Sequence, residues 1–170
     1  MTSAPASAQS GTQPRPEFQA SSKLGPEKTD AVVIACSDRR YRQPMDEFLS
    51  RGLGIANYDL IAVPGGAYIL SFADVLPKQL KLGMQMVKLL MRNHLPPRIV
   101  LVAHQDCSRY REGFTTWLRR PGFSLEEKQR HDLISVSASL RDAFPDAAVQ
   151  AFFAKSHAGD SVVFEPVSGA

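Results

Sequence analysis

The chain has 170 residues, 44% of them hydrophobic and 22% charged, with a formal net charge of +3. That size and balance suit one globular domain with a real core, and Lys and Arg scattered among nearly as many Asp and Glu offer no basic face for nucleic acid. No apolar run approaches the roughly 20 residues of a membrane span, and the N-terminus lacks the basic start and apolar core of an export signal, so a soluble cytoplasmic protein without a membrane partner is expected.

Residues 1–28 are rich in Ser, Ala, Pro, Gln and Gly without apolar periodicity, which predicts a disordered or loosely ordered tail ahead of a single domain over 29–170. Ala31 to Ala35 is a continuous apolar run, the pattern of a strand buried on both faces of a parallel sheet. The loop CSDRRYRQ follows, and Pro44 opens a short helix carrying Met45, Phe48 and Leu49 until Gly52. Asp59 to Val63 is a second strand, closed by Pro64-Gly65-Gly66-Ala67, a turn permissive enough for close backbone approach.

The next helix spans about Lys78 to His94, with Leu80, Gly83, Met84, Val87, Leu90 and Met91 on one face. Pro96-Pro97 ends it and launches the strand Ile99 to Ala103. A short helix is expected from Tyr110 to Arg120, carrying Trp117 and broken by Pro121-Gly122. Ser124 and Glu127 have capping-box spacing and open a helix whose buried stripe is Leu133, Val136 and Leu140. Val149 to Ala154 and Val162 to Phe164 are late strands with Gly159-Asp160 as the turn between them. Strands alternating with helices predict an α/β fold with a mainly parallel sheet flanked by helices.

Both cysteines of the chain, Cys36 and Cys107, fall where a buried strand gives way to a loop. In a parallel sheet ligands bind at the carboxyl ends of strands, so one site can collect Cys36, His104 and Cys107. A disulfide is the weaker reading for a chain without an export signal. Two thiolates and one imidazole are a borderline-soft donor set suited to Zn²⁺, one ion per chain, and three protein ligands leave one tetrahedral position free. Asp38 either fills that position or stands back to accept a hydrogen bond from metal-bound water, and Arg40 has the fork geometry to hold the carboxylate.

Cys-x-Asp-x-Arg after one strand (Cys36-Ser37-Asp38-Arg39-Arg40) and His-x-x-Cys after a later one (His104-Gln105-Asp106-Cys107) resemble the beta-class carbonic anhydrases. The resemblance covers roughly Ala31 to Phe164. It implies a beta-carbonic anhydrase-like fold, Cys36, His104 and Cys107 as zinc ligands, and Asp38 with Arg40 as the catalytic dyad beside the metal. It further implies that a zinc-bound hydroxide attacks CO₂ to give bicarbonate and a proton, with Gly65, Gly66 and Ala67 along the substrate pocket. A homodimer or higher multiple is the implied assembly. His94 and His131 are candidate proton carriers, although a surface or helix-end role suits both better. The chain departs from the family pattern at Ser108, where glycine is usual, and at the turn Val63-Pro64-Gly65-Gly66-Ala67.

Other readings stay open. A closed, non-catalytic zinc site with Asp38 as fourth ligand would act as a folding staple or binding module. The same fold could hydrolyse COS or CS₂, which are linear and apolar like CO₂. Cys36 to Arg42 also fits Cys-x5-Arg, the phosphate loop of cysteine-dependent phosphatases and arsenate reductases, although that reading leaves His104 and Cys107 without a role.

Overall fold

The structure, a computed structural model, describes residues 18, 20–71, 77–114 and 124–170. Most of the expected tail, Trp117 and the Pro121-Gly122 break therefore lie outside the described residues. Five strands form one sheet: β1 (Ala31–Cys36), β2 (Tyr58–Val63), β3 (Arg98–His104), β4 (Ala148–His157) and β5 (Ser161–Pro166). The spatial order is β2-β1-β3-β4-β5. The first four strands run parallel, and β5 returns antiparallel to β4 through the short 3-10 turn Ala158–Asp160. The helices are α1 (Arg42–Glu47), α2 (Pro77–His94), α3 (Ser108–Phe114) and α4 (Leu125–Ala143). The expected α/β architecture with a mainly parallel sheet is the one observed.

Alternation along β1 explains its unbroken apolar run. Val32 and Ile34 join the core formed with Val87 of α2 and with Leu133, Val136 and Leu140 of α4. Ala31, Val33 and Ala35 join the opposite core with Met45 of α1 and Leu49 of the π turn Phe48–Gly52 that follows it. A strand covered on both sides can carry no polar residue until it leaves the sheet, and β1 carries none until Cys36 and Ser37. Helix α4 starts with both halves of the capping box: Ser124 Oγ accepts from the Glu127 N–H at 3.1 Å, and Glu127 Oε2 accepts from the Ser124 N–H at 2.7 Å.

Strand order places the site. The chain moves outward from β1 to β2, then crosses back over β1 to lay down β3 on its other side. Such a reversal opens a crevice at the carboxyl ends of the two adjacent strands. Ala35 lies level with Val102, so β1 releases Cys36 and β3, one residue further on, releases His104 into that crevice. Among the described residues, no helix is long and apolar enough to cross a membrane.

One departure from the expected elements affects the site. Helix α3 begins at Ser108, two residues before the expected start, so Cys107 stands immediately ahead of its first turn. The spacing between His104 and Cys107 is spanned by a turn in which Asp106 takes a left-handed conformation, φ 57°, which Asp tolerates better than most residues.

Candidate metal centre

Cys36, His104 and Cys107 meet. Each offers one ligand atom, and these atoms all lie within 4.8 Å of one another. The two sulfurs are 3.8 Å apart, too far for a disulfide, and both cysteines are free. His104 and Cys107 are buried, at 2% and 1% exposure, while Cys36 is partly open to solvent.

The imidazole is set for coordination. Its Nδ1 lies 2.7 Å from the Gln105 carbonyl oxygen, which can only accept, so Nδ1 carries the proton and Nε2 bears a lone pair. That Nε2 is buried and has no hydrogen-bond partner. A buried, desolvated lone pair beside two thiols is costly to leave unmatched, and a cation is the partner that satisfies all three donors at once.

The thiols carry the same message. The Cys36 thiol is held well below its ordinary value, first by the hydrogen bond from Cys107 and then by the backbone N–H groups of Gly65 and Asp38, against the opposing effect of burial. Contact with Cys36 together with burial pushes Cys107 up, although the N–H groups of Tyr110 and Arg109 in the first turn of α3 pull the other way. Two sulfurs this close resist double ionisation unless a positive charge lies between them. A soft divalent cation such as Zn²⁺ therefore fits the donor set.

Asp38 is engaged by Arg40. Its carboxylate receives Arg40 Nε at 3.1 Å on both oxygens and Arg40 Nη2 at 2.6 Å, and its Oδ1 also accepts the Arg40 backbone N–H at 3.0 Å as the N-cap of the 3-10 turn Arg39–Tyr41. The Arg40 guanidinium lowers the Asp38 carboxyl to about 2. The carboxylate does not belong to the group formed by the two sulfurs and Nε2.

The glycine turn closes one wall. Gly65, at φ 85°, donates its N–H to Cys36 Sγ at 3.3 Å, and Gly66, at φ 55°, presses against the end of β1. A Cβ on Gly66 would stand 2.9 Å from the backbone of Ala35 and Cys36, which cannot give way as a flexible side chain could. We expect Gly66→Ala to lose about 2–5 kcal/mol of stability from left-handed strain plus overlap. Chemical denaturation reads this directly, and an unchanged midpoint would contradict the contact. Ala67 is fully buried in the sheet core. A cavity of about 590 Å³ is lined in part by Val63 and Pro64 ahead of the turn and by Tyr68 and Arg109.

A family model described as "Putative carbonic anhydrase" matches residues 26–163. The chain belongs to this carbonic anhydrase family. Its fold is similar to that of two tetrameric beta-carbonic anhydrases from the filamentous ascomycete Sordaria macrospora, with 14% identity, a TM-score of 0.52, and 82% of this chain and 81% of that chain covered. It is likewise similar to beta-carbonic anhydrase isoform I of Trichomonas vaginalis, with 10% identity, a TM-score of 0.54, and 84% and 86% covered. No curated protein matches the chain. At these identities the structural likeness concerns the fold, and the carbonic anhydrase assignment rests on the family match.

Other expected residues sort themselves by position. His94 pairs through Nδ1 with Asp59 Oδ2 at 2.7 Å. Asp59 lies level with Val32, four residues before Cys36 and thus about 13 Å back along the sheet from the crevice. His131 is a surface residue of α4, its side chain 73% exposed. Arg42, the arginine of the Cys-x5-Arg pattern, turns its Nε to Asp46 at 3.2 Å within its own helix, away from any anion cradle at Cys36.

Three contacts around His104 escape a motif-based reading. The Tyr41 ring lies against the imidazole, with centroids 4.2 Å apart. Gln105 tethers its side chain to Ser156 at the end of β4, fixing the carbonyl that receives Nδ1–H. Gln129 of α4, 1% exposed, donates Nε2–H to the His104 carbonyl at 2.9 Å. Gln129 had a legible signal: it sits four residues before Leu133 on the same buried stripe, and a polar residue there needs a partner.

Proposed function

We propose that this protein is a zinc-dependent carbonic anhydrase, a lyase that interconverts CO₂ and bicarbonate, with one zinc per chain held by Cys36, His104 and Cys107. The observation that carries the reading is the orphaned His104 Nε2 beside two sulfurs, with Asp38 held by Arg40. When bound, zinc supplies the Lewis acidity that makes water nucleophilic near neutral pH.

The chain's own residues do the rest. The sulfurs and Nε2 form three donors, which suits a catalytic centre that keeps a position free better than a four-ligand staple. Arg40 holds the Asp38 carboxylate ionised and aimed, with acceptor capacity left to orient an attacking water. Gly65 and Gly66 let the turn pack bare backbone against the end of β1, so that the Gly65 N–H reaches Cys36 Sγ and holds it in place. A homodimer or higher multiple working in the cytoplasm completes the proposal, and the tetrameric state of the Sordaria enzymes supports the multimer.

Metal analysis and stopped-flow CO₂ hydration test it together. About one zinc per chain with hydration that rises toward alkaline pH is expected. Zinc-replete protein inactive on CO₂ at every pH would leave the closed staple, or COS and CS₂ as substrates, and a chain that binds no zinc would remove the reading altogether.

A further inference from the structure

Tyr41 stands between the two halves of the site. Its ring faces the His104 imidazole at 4.2 Å with the planes tilted by 31°. The Arg40 guanidinium lies 5.9 Å over that same ring while its nitrogens grip Asp38. The Tyr41 hydroxyl reaches toward the Gln105 carbonyl at 3.4 Å, the same oxygen that receives His104 Nδ1–H. Tyr41 thus contacts both the His104 imidazole and the Arg40 guanidinium. These contacts run from the loop after β1 to the end of β3.

We propose that Tyr41 is a positioning residue that fixes the plane and tautomer of His104 and ties them to the Asp38–Arg40 pair. The inference rests on the zinc reading of the site for its consequence, though not for its geometry. An imidazole has two ways to lose order: rotation about its side-chain bonds and migration of its proton from Nδ1 to Nε2. Either removes the lone pair from the two sulfurs. The Gln105 carbonyl opposes the second by accepting from Nδ1, and Gln129 anchors the His104 backbone without touching the ring. The flat face of Tyr41 opposes the first and, by keeping Nδ1 in line with the Gln105 carbonyl, preserves the contact that opposes the second. The hydroxyl contact is long for a hydrogen bond, so the ring carries the effect. Residues that orient a ligating histidine commonly change metal affinity by about 10- to 100-fold when removed.

The test uses the full chain and three proteins: wild type, Tyr41→Phe and Tyr41→Leu. Leucine keeps most of the bulk in this half-buried position, so the fold is retained, but it has no flat face. Zinc affinity is measured by competition with a chromophoric chelator, and the His104 tautomer by ¹H–¹⁵N correlation spectra of metal-free protein. Tyr41→Leu is expected to bind zinc about tenfold or more weakly and to show an averaged His104 tautomer. Tyr41→Phe is expected to stay within about threefold of wild type and to keep the Nδ1–H form. Wild-type affinity together with a wild-type tautomer pattern in Tyr41→Leu would overturn the proposal. If wild type itself takes up no zinc, the reading of the site fails, and the tautomer spectra alone still decide the role of Tyr41.

Discussion

Cys107→Ala is expected to reduce bound zinc from about one ion per chain to a trace and to bring CO₂ hydration down to the uncatalysed rate. Cys107 is 1% exposed and supplies one of three donors that meet within 4.8 Å. With it gone, Cys36 and His104 form a two-point site, and thiolate ligation contributes much of the binding energy of zinc in such centres. The fold should survive, because the change removes one sulfur from a small cluster with Tyr68 and Tyr110 and costs on the order of 1–2 kcal/mol. Circular dichroism and metal analysis on the same sample separate the two effects. A second readout comes from the partly open Cys36. Iodoacetamide should modify it quickly in Cys107→Ala and slowly in zinc-loaded wild type. Full activity in the variant would rule out Cys107 as a zinc ligand and with it the proposed centre.

How far the sequence foretells this molecule depends on which force decides each feature. Burial on both faces of a parallel strand leaves an unmistakable trace, so Ala31 to Ala35 and Ile99 to Ala103 are legible, and the cysteine at the exit of β1 and the histidine at the exit of β3 follow. Turn chemistry is equally plain at Gly65 and Gly66, both left-handed, and at Gly66 the approach to the backbone of Ala35 and Cys36 leaves room for nothing but hydrogen. The early start of α3 was not legible, because Ser108 and Arg109 carry no periodic apolar signal; the turn through Asp106 decides where that helix begins. Tyr41 was hidden for another reason. Its role depends on a neighbour 63 positions away in the chain, and no local pattern marks a ring that will meet an imidazole across two strands. The direction of Asp38 is intermediate: the spacing allowed a carboxylate on the metal or on Arg40, and the N-cap of the Arg39–Tyr41 turn chose Arg40.

That choice yields the second large effect. Asp38→Asn should leave zinc content near one per chain while lowering kcat/KM by about a hundredfold or more, the range for loss of a positioned proton acceptor. Asparagine is as good an N-cap as aspartate, so the Arg39–Tyr41 turn remains and the loss belongs to the charge. Asp38→Ala removes the cap as well and should add about 1 kcal/mol of local destabilisation. In a closed site the outcome would invert: removing a fourth ligand would loosen zinc and open a coordination position, so weakened metal binding with new activity would sink the open-site reading. The pH dependence supplies an internal check. Arg40 depresses the Asp38 carboxyl from 3.8 to about 2, so the pair's stabilisation is fully present above pH 3.8 and is lost only as the pH falls through about 2. Asp38 is therefore ionised throughout the working range. A rise in hydration between pH 6 and 9 cannot report its titration, and the rise should keep its midpoint in Asp38→Asn while its height falls. A midpoint displaced by a full unit would mean that Asp38 acts on the nucleophile's own ionisation as well as on its orientation.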